Sequence, residues 1–291
     1  MNKKVAIITG ADGGMGKVIT KRLLREGYQV IMACRNIPEA SFFYHSLTDR
    51  YPSCLYLFHL DLASSDSIFH FVNEVENHFT KIDLLLNNAG VLTPSEKNTA
   101  DNFEITEGTN YLGHYILTQR LYPLMGRGTR IVNMASLTYK WYPLRKEFLR
   151  PAESKKYSRF LTYSNSKLAL VYFTLDQSEK WEKEGITINC ADPGIVSTKI
   201  ICLGKKTIDK MCDWFFRPVI RTAEKGAETM LYLALSPDVE GETGGYYANK
   251  KPKAISKRIR EHPQRRWLQE ISAKIYTDLE RNDSAGIFAT K

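Results

Sequence analysis

The chain has 291 residues, 43% hydrophobic and 25% charged, with a formal net charge of +9. This is an ordinary globular composition, long enough for one sizeable domain or two small ones. No apolar run approaches the roughly 20 residues that span a bilayer, and five cysteines without paired spacing argue against a zinc motif and a full disulfide framework.

Met1-Asn2-Lys3-Lys4 leads directly into Val5-Ala6-Ile7-Ile8, a run too short for a signal-peptide core, so the expected location is cytoplasmic. Val5–Thr9 reads as a buried strand. It is closed by the turn Thr9-Gly10-Ala11-Asp12-Gly13-Gly14-Met15-Gly16, after which Val18, Ile19, Leu23 and Leu24 recur at helical spacing. Glycine lets a backbone approach a pyrophosphate closely, and a helix N-terminus offers free N–H groups and a positive dipole end. Alone, such a turn is only a tight connection; the strand before it and the helix after it favour a dinucleotide site. The second strand, Gln29–Cys34, ends at Arg35-Asn36, where NAD sites usually carry an acidic residue for the ribose 2′-hydroxyl. A guanidinium at Arg35 suits a 2′-phosphate instead, so NADP(H) is favoured and NAD(H) stays open, with Asp12 an awkward neighbour for that phosphate. Cys34, Cys54 and Cys190 lie in or beside apolar runs, where a thiol behaves as a small hydrophobe.

Leu55–His59 is expected as a strand running into Leu60-Asp61-Leu62, Ile68–Phe79 as a helix, and Ile82–Leu86 as a strand entering Asn87-Asn88-Ala89-Gly90. Residues 106–125 read as one long helix holding Asn110, and Ile131–Met134 as a strand ending at Ala135-Ser136. Residues 162–184 read as a helix, Ile186–Ala191 as a strand, and Asp192-Pro193-Gly194 as its terminating turn. This alternation implies an α/β fold of three layers, a doubly wound parallel sheet with helices on both faces. Ligands of such sheets bind beyond the carboxyl ends of the strands. Gly10–Gly16, Arg35, Asp61, Asn87–Gly90, Ser136 and Pro193–Gly194 all fall at those ends.

Tyr163 and Lys167, four apart on a helix, project from one face. A fixed positive charge beside a phenol favours the phenolate, which suits proton exchange with an alcohol or carbonyl oxygen. Tyr142–Lys146, Tyr246–Lys250 and Tyr247–Lys251 share the spacing, so only the surroundings promote Tyr163.

Those surroundings resemble the short-chain dehydrogenase/reductase family. Thr9-Gly10-x-x-x-Gly14-x-Gly16, Asn87-Asn88-Ala89-Gly90 and Pro193-Gly194-Ile195-Val196-Ser197-Thr198 match its motifs, and Asn110, Ser136, Tyr163 and Lys167 match its catalytic tetrad. Ala33-Cys34-Arg35-Asn36, Asn110-Tyr111-Leu112-Gly113-His114 and the long gap between Ser136 and Tyr163 look like its retinol dehydrogenase and protochlorophyllide reductase-like branch. The chain departs from that branch at Asp12 and Gly13 and at Asp192, where His is frequent, and the N-terminal membrane anchor frequent in the animal members is not expected here.

The resemblance implies a single Rossmann-fold domain over residues 1–249 and a basic extension over 250–291. It implies that Tyr163 is the general acid in reduction and base in oxidation, and that Lys167 holds the nicotinamide ribose and favours the tyrosinate. Ser136 would fix the substrate oxygen, and Asn110 would anchor a water near Lys167. Gly10, Asp12, Gly13, Gly14, Met15, Gly16, Arg35, Asp61, Leu62, Asn88, Ala89, Gly90, Tyr163, Lys167, Pro193, Gly194, Val196 and Thr198 would line the cofactor, with no metal. A small-molecule carbonyl or alcohol is the implied substrate. Residues 137–161 and 195–221, the latter with Met211, Trp214, Phe215 and Phe216, are expected to shape an apolar or aromatic pocket, ordinary core packing being the other reading. A homo-oligomer through the helices near 107–125 and 163–184 is expected.

Between residues 250 and 274, nine Lys/Arg face two Glu. This reads first as a solvated helix and second as contact with an anionic membrane surface; no nucleic-acid motif accompanies it. Beside the favoured carbonyl/alcohol oxidoreductase stand a double-bond reductase using the same residues and a nucleotide-binding sensor or scaffold without turnover. An intact Ser136/Tyr163/Lys167 set argues against the last, because a scaffold needs no proton donor.

Overall fold

The computed structural model describes residues 3–149, 157–195 and 221–289. Buried apolar runs form the strands β1 (Val5–Thr9), β2 (Gln29–Cys34), β3 (Leu55–His59), β4 (Leu84–Asn87), β5 (Arg130–Met134) and β6 (Thr187–Asp192). Amphipathic or capped segments form α1 (Gly14–Arg25), α2 (Ile37–Thr48), α3 (Ser65–His78), α4 (Ile105–Glu107), α5 (Gly113–Leu121), α6 (Arg159–Trp181) and α7 (Ala223–Leu235). The strand order is β3-β2-β1-β4-β5-β6-β7-β8, with β7 (Tyr246–Ala248) and β8 (Lys251–Lys253) closing one edge. All neighbours pair in parallel except β7 and β8, which pair antiparallel with Tyr247 opposite Pro252. The exposed Lys251-Pro252-Lys253 edge is a poor template for further strand addition, because Pro lacks a donor and Lys keeps the edge in water.

Successive residues of a strand point to opposite faces, and here both faces are buried. Val5 and Ile7 join the core beneath α3, α5 and α6, whereas Ala6 and Ile8 join the one beneath α1, α2 and α7. From β1 the chain runs outward to β3 and then returns to β4 on the other side of β1. That reversal opens a crevice between the carboxyl ends of β1 and β4.

The long helix expected over 106–125 is instead α4, a π-helical turn (Gly108–Leu112), α5 and a 3-10 turn (Tyr122–Leu124). Close packing explains the interruption. A Cβ on Gly108 would lie 2.4 Å from Thr99 Cγ2, and one on Gly113 would lie 2.3 Å from the Leu62 carbonyl oxygen. Pro123, lacking an N–H, stands at the end of the run.

Beyond β8, α8 (Lys257–Arg260) and α9 (Gln264–Ala289) continue onto the same core. Leu268 is buried, and Ser272 Oγ meets the Tyr111 hydroxyl at 2.8 Å. Arg265 pairs with Asp176 at 2.6 Å and Arg120 with Glu280 at 3.1 Å. The basic extension thus lies on α6 and the α5 segment, the helices named above for an oligomer contact. Among the described residues no helix is long and apolar enough to cross a membrane.

Candidate active site

The glycine turn follows β1 where the crevice opens. Gly10 has φ of +62°, and a Cβ there would meet Ala89 Cβ at 3.2 Å. At Gly16 a Cβ would lie 2.2 Å from the Gly10 carbonyl oxygen, so the helix can approach the strand this closely only with glycine. The N-cap of α1, Gly13, provides no side-chain cap, and the first turn carries no acidic residue. By contrast Asn36, Ser64 and Thr222 cap α2, α3 and α7. The first N–H groups and positive dipole end of α1 are therefore left for an anion.

Asn88-Ala89-Gly90 closes the other side of the crevice. Thr9 Oγ1 accepts the N–H groups of Asn88 and Ala89, each at 2.9 Å, and Asn88 Nδ2 donates to the Thr9 carbonyl at 2.9 Å. His114 completes this knot. Its Nδ1 lies 3.0 Å from the Asn110 carbonyl, which only accepts, so Nδ1 carries the proton and Nε2 receives the Thr9 hydroxyl at 3.0 Å. Burial pushes this imidazole down to about 4, with the Lys167 charge adding to the effect, so the ring is neutral. The Asn110-x-x-x-His114 spacing, one helical turn, was the only sequence signal for it.

α6 carries Tyr163 and Lys167 to the carboxyl ends of β5 and β6. Lys167 Nζ donates to the Met134 carbonyl at 2.7 Å and stands 5.5 Å from the Tyr163 ring centroid. Burial lowers Lys167 to about 8, against the raising charges of Cys190 and Asp192. Burial raises the Tyr163 phenol to about 12; a hydrogen bond from Ser136 opposes this and the Asp192 charge adds to it. Desolvation is thus the largest influence on the phenol, with Lys167 close beside its ring. Ser136 also accepts the Thr138 N–H at 3.4 Å, capping a 3-10 turn (Leu137–Lys140). Asn110 spends its amide on Val91, accepting its N–H at 2.7 Å and donating to its carbonyl at 2.9 Å, and on Ser166 Oγ at 3.2 Å. Gly90 sits between, since a Cβ there would come 3.4 Å from Asn110 Oδ1 and 3.7 Å from Lys167 Nζ.

The remaining predicted positions surround this centre. Arg35 is exposed at the end of β2. Asp12 sits against the Cys34 thiol, which burial raises to about 12 with the Asp12 charge adding to the rise. Asp61 Oδ1 accepts the Ala63 N–H at 3.0 Å, Leu62 is buried against Gly113, and Met15 is buried in the first turn of α1. Pro193 and Gly194 follow β6, Gly194 with φ of +72° and its N–H given to Asp192. Val196 and Thr198, and with them most of the expected pocket segment 195–221, lie outside the described residues. The described part of 137–161 is tied to α6 and α4. Asn165 binds the Arg145 N–H and the Pro143 carbonyl, each at 2.9 Å, and Arg145 pairs with the buried Glu107. Leu137, Trp141, Tyr142 and Phe160 are exposed around this end of the sheet. The Glu107–Arg145 pair joins residues 38 apart and had no sequence signal.

A crevice at the strand reversal, an open helix N-terminus and a Tyr/Lys/Ser group beside it define the class of nucleotide-dependent oxidoreductases with a doubly wound sheet. Residues 4–145 match the short chain dehydrogenase family model. Mouse retinol dehydrogenase 14 is 34% identical, covering 94% of this chain and 85% of the relative. Human polyprenol dehydrogenase is also 34% identical, over 85% of this chain and 77% of the relative. Among solved structures, a glucose/ribitol dehydrogenase of the short-chain family from Brucella melitensis has a TM-score of 0.67 at 21% identity, over 84% and 94% of the two chains. A metagenomic blue fluorescent protein in complex with NADPH gives 0.68 at 23%, over 85% and 96%. The chain belongs to the short-chain dehydrogenase/reductase family, in its retinol dehydrogenase-like branch, and is an NAD(P)-dependent oxidoreductase acting on CH–OH and C=O groups.

Proposed function

We propose that the chain interconverts hydrophobic carbonyls and alcohols with NADP(H), using Tyr163 as general acid and base. The observation that carries this reading is the meeting of Tyr163, Lys167 and Ser136 with Asn88–Gly90 at the carboxyl ends of β4, β5 and β6. When bound, a nicotinamide supplies the hydride. The uncapped N-terminus of α1 and the Cβ-free approach at Gly10 and Gly16 fit its pyrophosphate, and the exposed Arg35 suits a 2′-phosphate. Asp61, Leu62 and Asn88–Gly90 would border the rest of the nucleotide, with Pro193 and Gly194 nearest the nicotinamide end.

Tyr163 keeps its proton at neutral pH and would donate it to the carbonyl oxygen of the substrate. Ser136 holds that oxygen by a hydrogen bond. Lys167, lowered to about 8, stays largely charged at neutral pH, supports the tyrosinate that forms, and exchanges a proton readily in reprotonating it. Asn110 supports this group from behind by fixing Val91 and Ser166. The exposed Trp141, Tyr142 and Phe160 favour an apolar substrate, in keeping with relatives named for retinol and polyprenol.

The test is fluorescence titration of NADPH and NADH into wild type and Arg35→Ser, with turnover measured on aldehydes of increasing chain length. Arg35→Ser should weaken NADPH by about tenfold and NADH little, and kcat/KM should rise with chain length. Equal loss for both nucleotides refutes the 2′-phosphate role, and preference for small polar carbonyls refutes the substrate class.

A further inference from the structure

β6 ends in a buried carboxylate that the reading above leaves unused. Asp192 Oδ2 accepts the Tyr246 hydroxyl at 2.5 Å and Oδ1 accepts the Gly194 N–H at 2.8 Å, so neutral donors fix both oxygens. The sheet shows which way it faces. Cys190, two residues earlier on the same face, meets α6 at Thr174 Oγ1 (3.1 Å) and the Leu170 carbonyl (4.0 Å). Two strand residues advance about 6.6 Å, and a helix rises 1.5 Å per residue. Because α6 runs antiparallel to β6, Asp192 stands level with Ser166 and Lys167, one turn from Tyr163. The neighbouring strand agrees: Ala191 pairs with Met134, whose carbonyl holds Lys167.

We propose that Asp192 is a positioning residue whose negative charge holds Tyr163 protonated to higher pH and favours the oxidised over the reduced nicotinamide ring. The idea rests on the assignment of Tyr163 as proton donor. Reduction begins with a protonated phenol, passes its proton to the product oxygen and leaves tyrosinate; oxidation begins from tyrosinate. A nearby anion disfavours tyrosinate, so Tyr163 keeps its proton to higher pH while becoming a weaker acid. It also favours a cationic over a neutral ring beside Pro193-Gly194, which is the oxidised over the reduced nicotinamide. After burial, the largest influence on each, Asp192 acts to raise both Tyr163 and Lys167, the latter beside a raising charge from Cys190. The groups facing this space are Tyr163 and Lys167 on α6, Cys190 on β6, Tyr246 on β7, Tyr139 after β5, His114 on α5, and Arg260 on α8, which acts on Tyr139.

Asp192→Asn removes the charge while keeping an acceptor for Gly194 and a group that can bond Tyr246. Tyr246→Phe keeps the charge and removes one neutral partner. Binding of NADP+ and of NADPH is measured by fluorescence titration, without turnover, and the pH dependence of kcat/KM for alcohol oxidation is followed in parallel. For Asp192→Asn, NADP+ should weaken relative to NADPH by at least about threefold, and the ascending limb should move about 0.5–1 unit toward acid. Tyr246→Phe should leave the ratio within about twofold and move the limb no further toward acid than wild type. Unchanged ratio and limb in a folded Asp192→Asn overturn the proposal, as do equal shifts in the two variants, which would assign the effect to packing. Wild-type turnover in Tyr163→Phe overturns the underlying assignment and this proposal with it. An inactive Tyr163→Phe beside an unmoved Asp192→Asn overturns this proposal alone.

Discussion

Replacing Thr9 with valine keeps the side chain's shape and deletes one oxygen. That oxygen accepts the Asn88 and Ala89 N–H groups at 2.9 Å and meets His114 Nε2 at 3.0 Å, in a residue with no exposed surface. The variant leaves the Ala89 N–H and His114 Nε2 without this partner, while the Asn88 N–H keeps the Leu86 carbonyl at 2.9 Å. At about 1 kcal/mol or somewhat more for each of these two groups, the loss is about 2–3 kcal/mol, a sizeable share of the ~5–15 kcal/mol that holds a typical domain folded. The same change releases Asn88–Gly90 from β1, so nucleotide affinity should fall as well. Urea unfolding followed by circular dichroism, with NADPH titration, measures both. Thr9→Ser, which keeps the oxygen, should stay within about 1 kcal/mol of wild type. A Thr9→Val protein of wild-type stability and wild-type affinity would refute the view that this hydroxyl ties the cofactor crevice together.

Three further outcomes follow from buried charge. His114 titrates near 4 when folded and at 6.5 when free, so the unfolded chain binds the extra proton between these values. Stability should therefore fall by about 3 kcal/mol as pH drops through that window, and His114→Gln should flatten the slope. Arg145→Met strands Glu107, which is 1% exposed; because Arg145 itself is 28% exposed, a discounted loss of about 2 kcal/mol is expected. Adding Glu107→Gln should recover part of it in a double-mutant unfolding cycle, and strict additivity would contradict the pairing. Arg265→Ala removes contacts to Asp176 at 2.6 Å and Glu179 at 3.0 Å. Hydrogen exchange should then quicken along α9 before it quickens in the sheet, whereas uniform change would argue against a locally docked helix.

β1 to β6 were legible because strands buried on both faces are continuous apolar runs punctuated by glycine, proline or polar turns. α2 was not, since Phe42 is 83% exposed while its neighbour Phe43 is buried, which blurs the amphipathic stripe. β7 and β8 are each only 3 residues long and exist by pairing with an edge that local sequence does not reveal. The glycine turn, Asn88–Gly90, Tyr163 and Lys167 were readable from local spacing. The contacts that position them were not. Thr9 reaches Asn88 and His114 across 79 and 105 residues, and Asp192 reaches Tyr246 across 54. Only the strand order brings these together. Nor does spacing carry desolvation, the largest influence on the Tyr163 phenol.

The most direct test of Tyr163 as the proton donor is NADPH consumption with a hydrophobic aldehyde by wild type and Tyr163→Phe, alongside nucleotide titration of both. Wild type should turn over, and the variant should bind NADPH unchanged while losing about 10²–10⁴ in kcat. A variant that retains wild-type turnover would contradict the assignment.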